Sequence, residues 1–89
     1  MRVFWRESRG GRHLILDADG KQTQVGFILR NKTEFDGVAK TTGYAPERSR
    51  SGFTTIDEAA SFVEAFKPWT EFGAPDHLSV EPTVQPRPA

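Results

Sequence analysis

The chain has no cysteine among its 89 residues. That excludes disulfides, thiolate zinc sites and a cysteine nucleophile. Its two histidines, His13 and His77, lie far apart and lack a ligand pattern such as His-Glu-x-x-His. No apolar run reaches the roughly 20 residues that span a bilayer. The opening "MRVFWRESRG" carries a charge every few residues where a signal peptide would have an apolar stretch. These absences lead us to expect a soluble, cytoplasmic protein with no membrane partner. Enzymatic signatures are missing too. Ser61 falls inside a helical pattern, away from any nucleophile-elbow context. "RGGR" lacks the Lys-Ser/Thr and the following helix of a phosphate-cradling loop. Asp17 and Asp19 sit beside Gly20, where a turn explains them and too few oxygens gather for a metal. We expect no catalytic residue, no metal and no cofactor.

The formal net charge is zero, with 12 basic and 12 acidic residues. That balance hides an asymmetry. Residues 1–50 hold ten Lys/Arg against six Asp/Glu, and residues 51–89 hold two against six. A basic half can steer a polyanion even when the whole chain is neutral.

Periodicity and turn signals predict an α+β domain. "VFWRES" (Val3–Ser8) and "RHLILDA" (Arg12–Ala18) read as strands, separated by the turn "RGG". "DADG" carries the Asp-Gly signal of a tight hairpin. It leads into a third strand over Gln22–Arg30, and "NKTE" marks the next turn. Phe35–Thr41 is a fourth strand interrupted by Gly37. Thr42–Gly52 reads as a loop, with room for a short strand just before Gly52. Thr55 and Glu58 form a capping box. Ile56, Ala59, Ala60, Val63 and Phe66 then repeat at helical spacing, Phe62 widens that face, and Pro68 stops the helix. The expected architecture is an antiparallel meander of about four strands packed on one C-terminal helix. We place that domain at residues 1–73. Residues 74–89 form an extended, partly mobile Pro-rich tail, and five of the six prolines lie from Pro68 onward. Trp69 and Phe72 are expected to fold back onto the domain.

The basic residues cluster at the strand ends and before the helix. Arg6, Arg9 and Arg12 flank the first turn, Arg30 and Lys32 the third, and Arg48 and Arg50 precede the helix. Lys21 and Lys40 lie near them. If residues 48–50 are extended, Arg48 and Arg50 share one face. Trp5, His13, Phe35 and Tyr44 could supply rings among these cations. Trp5 and Phe35 suit a core under the helix equally well. Cations interleaved with rings are the pattern of single-stranded nucleic-acid binding, where cations follow phosphates and rings stack on bases. The helix start itself is a poor anion site, because Asp57 and Glu58 already complement its dipole.

"PERSRSGFTTIDEAASFVEAF" resembles the closing strand and helix of the positive cofactor 4 type of transcriptional coactivator, through Pro46, Arg48, Arg50, Gly52, Phe53, Thr54 and Glu58. "VFWRESRGGRHLIL" is similar to the opening hairpin of the purine-rich-element-binding repeats. Both resemblances imply a helix on a four-stranded antiparallel sheet, single-stranded nucleic acid on the sheet, and a dimer. Phe53–Ala60 also looks like the Phe-x-Thr-x-x-Glu-Ala-Ala of plant APETALA-type factors, which read duplex DNA with the sheet. The expectation is a non-enzymatic nucleic-acid-binding module. Its site would comprise Trp5, Arg6, Arg9, Arg12, Arg30, Lys32, Tyr44, Arg48 and Arg50. The alternative is a protein-interaction or inhibitor module acting through an edge strand, the helix or the Pro-rich tail. An acidic helix and zero net charge favour that alternative.

Overall fold

A computed structural model describes residues 1–88. Five strands follow one another in an antiparallel sheet of order β1-β2-β3-β4-β5. They are β1 (Arg2–Ser8), β2 (Gly11–Ala18), β3 (Lys21–Asn31), β4 (Glu34–Ala39) and β5 (Ser49–Phe53), and α1 (Ile56–Ala65) covers one face. The meander and its single helix are those expected, with one strand more than the four predicted. β5 escapes periodicity because "SRSGF" has only one apolar residue and is exposed over its first four positions. It exists because β4 supplies partners, with Val38 opposite Ser49, Gly37 opposite Arg50 and Phe35 opposite Phe53.

Short turns set the meander. Asp19 and Gly20 both adopt positive φ (53° and 74°), the backbone that a two-residue hairpin needs to match strand twist. Residues 40–48 make the one long connection and end in a 3-10 turn over Pro46–Arg48.

Alternation divides the strands between two faces. Val3, Trp5, Leu14 and Leu16 join Val25, Ile28 and Ala39 against Ala59, Ala60 and Val63 of α1, and Trp69 and Ala74 extend this core. Phe35 packs against it, so Phe35 lies on the covered face. Thr55 caps α1 by accepting from the Glu58 amide at 3.1 Å, and Glu58 accepts from the Thr54 and Thr55 hydroxyls in return. These bonds hold the Glu58 carboxyl below its ordinary range. After the C-cap Phe66, Lys67 turns left-handed (φ 48°) and a 3-10 turn over Pro68–Phe72 brings Trp69 into the core. The Trp69 indole donates to the Pro75 carbonyl at 3.1 Å. Phe72 stays partly exposed.

The C-terminal segment takes a defined place in the sheet. Val80 and Gln85 bridge Val3 and Arg6 in parallel. The Glu81 amide donates to the Val3 carbonyl (2.9 Å), the Gln85 amide to the Trp5 carbonyl (2.8 Å), and the Glu7 amide to the Gln85 carbonyl (2.8 Å). Residues expected as a coreless tail therefore close the β1 edge. β5 forms the other edge, and among the described residues no strand pairs with its outer side.

Candidate nucleic-acid interface

The face of the sheet away from α1 carries a continuous row across all five strands. Arg6 lies opposite His13, His13 opposite Phe27, Phe27 opposite Val38, and Val38 opposite Ser49. At roughly 4.8 Å between strands this row spans about 19 Å. A second row beside it runs Phe4, Ile15, Gln24. Neither row contains a carboxylate. Asp17 and Asp36 stand in the rows beyond them on either side, so the acids border this band without entering it.

A bulge makes the band. The β2–β3 register shifts between Leu14, opposite Gly26, and Ile15, opposite Gln24, which leaves Val25 as the extra residue. Strict alternation would put Phe27 and Leu29 on the face opposite Gln22 and Gln24. The bulge instead brings all four to the helix-free face and sends Ile28 into the core. Phe27 is half-buried there and Leu29 is 45% exposed.

Cations lie over the rings of this face. Phe4 and Ile15 are only 3% and 4% exposed although α1 lies on the other face, and Pro86 and Pro88 line a pocket together with Phe4, Arg2 and Arg6. The Arg2 and Arg6 guanidiniums sit 4.8 and 5.7 Å from the Phe4 ring centre. Their stems shield the apolar surface while the charged ends stay in water. Arg6 donates to the Gln22 side-chain oxygen, and Gln22 donates to Asp17 at 3.3 Å. The Lys40 ammonium stands 6.0 Å from the Phe27 ring centre. Burial pushes the His13 pKa down, and Lys40 and Arg6 add to the shift by repelling a protonated ring.

The residues expected to form the site divide between the two faces. Trp5, expected to stack on a base, is 3% exposed under α1, and its indole donates to Glu64 at 2.7 Å. Its ring serves the core because odd-numbered β1 positions face the helix. Arg12 shares that side, bonded to Glu7 at 3.1 Å. Arg30 stands in register with Phe35, also on the helix side, and Arg9 and Lys32 occupy exposed turns. Arg48 and Arg50 do not share one extended face, because residues 46–48 form a 3-10 turn. Arg48 is held as a pin. It lies 5.0 Å from the Phe66 ring centre and donates to the carbonyls of Ala39 and Lys40, both at 3.2 Å. The Arg50 guanidinium sits 5.4 Å from the Phe53 ring centre, beside Asp57 and Glu58. Of the nine, only Arg6 belongs to the band. Tyr44 is 94% exposed at the rim of a cleft of about 450 Å³, lined also by Val38, Lys40, Pro46 and Phe72. Phe27 and Lys40 were not among the residues expected to form the site, and the structure brings them together beside His13. Lys40 is visible as a basic residue at a strand end, but only the bulge puts Phe27 beside it.

Among the described residues no group of three or more His, Asp or Glu side chains is placed to hold a metal, and no helix is long and apolar enough to cross a membrane. Comparison with family models, curated proteins and solved structures finds no match to the chain.

Proposed function

We propose that this chain is a small non-enzymatic module that binds single-stranded nucleic acid on the helix-free face of its sheet. The observation that carries the reading is the acid-free row Arg6–His13–Phe27, with Lys40 poised over Phe27. His13 and Phe27 are direct cross-strand neighbours on the second and third of five strands. Two flat groups side by side can receive two successive bases, each stack contributing about 1–3 kcal/mol. Arg6 and Lys40 flank them and follow the phosphates. Lys40 moves off the Phe27 ring as a base arrives, exchanging a weak cation–π contact for a phosphate. Single strands suit the site better than duplex because stacking needs bases whose faces are free.

Fluorescence anisotropy with labelled single-stranded and duplex DNA and RNA, at two salt concentrations, tests the reading. Single strands should bind more tightly, and affinity should fall with salt. The two phosphates met by Arg6 and Lys40 give a log–log slope of about −1.4. Phe27→Ala should weaken binding about 5- to 160-fold, the equivalent of one lost stack. Arg50→Ala, on the other face, should leave it unchanged. Affinity that is flat in salt, or indifferent to Phe27→Ala, would sink the proposal.

Tyr44 favours a second reading, docking of a protein partner at the cleft between residues 40–49 and Phe72. An aromatic exposed to 94% beside an apolar cleft is the side chain that anchors interfaces. Tyr44→Ala distinguishes the two, since it removes the anchor and leaves Arg6, His13 and Phe27 in place.

A further inference from the structure

The contacts that hold the C-terminal segment on β1 all join residues 2–7 to residues 80–85. They comprise the three backbone bonds already described and a two-pronged ion pair, in which Arg2 Nε and Nη2 meet Glu81 Oε2 and Oε1 at 2.7 and 2.9 Å. That pair raises the Arg2 pKa and lowers the Glu81 pKa, each stabilising the other's charge. Leu78, Val80 and Val84 pack against the core cluster. The two β1 carbonyls used are two residues apart, at Val3 and Trp5, whereas the amides that reach them are four apart, at Glu81 and Gln85. Pro82 and Thr83 therefore loop outward and are exposed. The segment is an added strand, held at two points and clipped by one ion pair.

What joins this arm to the body is slight. Gly73 is left-handed (φ 92°), and the Trp69 indole fixes the chain as far as Pro75. Asp76 and His77 follow, both exposed. One backbone bond of 3.4 Å, from the Leu78 amide to the Pro75 carbonyl, spans them. Nothing in the docked contacts depends on this connection. None of the bonds, valine seats or ion-pair contacts involves Asp76 or His77, so all of them are compatible with an arm from another molecule.

We propose that the β1 edge is a strand-accepting site for the Leu78–Gln85 arm of a second copy as well as its own, so that two chains pair by exchanging C-terminal arms. Exchange preserves every arm contact and opens only the exposed hinge at Asp76–His77. Each chain gives one arm and receives one, so the assembly closes as a two-fold dimer. Its extent rises with concentration, because the cost is the freedom lost on association. The inference stands apart from the nucleic-acid reading, since it uses the opposite arrangement of groups: a sheet edge and its own occupant.

Charge reversal provides the test. Arg2→Glu places like charges together in cis and in its own exchanged dimer, and so does Glu81→Arg. Only a mixed dimer matches both pairs, one formed by the two substituted side chains and the other by the native Arg2 and Glu81. Native mass spectrometry of the two full-length variants mixed in equal amounts at high concentration should show the ratio of mixed dimer to homodimers raised severalfold above the statistical one to one, because only the mixed dimer carries matched pairs. A mixture of monomers alone overturns the proposal. So does a dimer in statistical proportions, which would mean association elsewhere. Should either variant fold poorly, deleting Asp76 and His77 from the otherwise unaltered chain serves instead. The shortened hinge should raise the dimer fraction in sedimentation, and an unchanged monomer would overturn the inference.

Discussion

The indole of Trp5 donates to Glu64 at 2.7 Å, tying the first strand of the sheet to the last turn of its helix. One bond thus joins elements 59 residues apart. It also explains a carboxylate on the sheet-facing side of α1, where an apolar residue would otherwise be expected. Glu64→Ala should destabilise the fold by about 1–3 kcal/mol by leaving a buried N–H without a partner. Glu64→Gln keeps an acceptor oxygen and should cost less. Urea unfolding of the two variants decides the matter, and equal losses would argue against the bond.

α1 packs close to the sheet at two glycines. A Cβ on Gly26 would lie 2.8 Å from Val63 Cγ1 and 3.0 Å from the Val38 carbonyl oxygen. One on Gly37 would meet the Ala59 carbonyl oxygen and Val63 Cγ2, each at 3.2 Å. Val63 is fully buried and β-branched, so it has little room to yield. Gly26→Ala should cost about 1–3 kcal/mol by overpacking, and more than Gly37→Ala. Adding Val63→Ala should recover part of the Gly26→Ala loss, a non-additivity readable in thermal or denaturant melts.

Arg48 and Arg50 look alike in sequence and should behave differently. Arg48→Ala removes two bonds to carbonyls and the contact with Phe66, for an expected loss of about 1–2 kcal/mol. Arg48→Lys should lose nearly as much, because an ammonium lacks the guanidinium fork. Arg50→Ala should change stability by less than about 0.5 kcal/mol. Chemical denaturation of the three variants checks the ranking.

His13 supplies a pH dependence. Its folded pKa is lowered, chiefly by burial and then by Lys40 and Arg6, so the unfolded chain takes up the proton first as pH falls. The stability associated with His13 is therefore complete above the ordinary histidine pKa of about 6.5. It is lost as pH falls below that value and through the lowered folded pKa. His13→Gln should flatten the stability curve across this window, measured as urea midpoints from pH 8 to 5. A curve of unchanged slope would show that His13 does not titrate differently in the two states.

The helix was legible in the sequence because its signals are local. Thr55 and Glu58 are three residues apart, and Ala59, Ala60 and Val63 repeat within two turns, so no distant partner is needed to define them. The first two hairpins were legible for the same reason, through Gly10 and the Asp19–Gly20 pair. β5 was legible only as room for a short strand before Gly52, because four of its five residues are not apolar and its strand character comes from β4.

The site was legible only in part, and the reason is the same division between local and distant. Arg6 and Arg12 are visible as cations from the sequence, but alternation in β1 and β2 sends one to the helix-free face and the other toward Glu7 and α1. Trp5 could have been a stacking ring or a core residue, and the partner that decided it, Glu64, lies on the helix. Phe27 reached the face of Arg6 and His13 through one extra residue at Val25, which shifts every later side chain of β3 to the other side. Composition and turn chemistry determined that this chain is a meander with one capped helix. Which ring meets which cation, and which edge the C-terminal arm closes, are pairings across tens of residues, and only tertiary packing decides those.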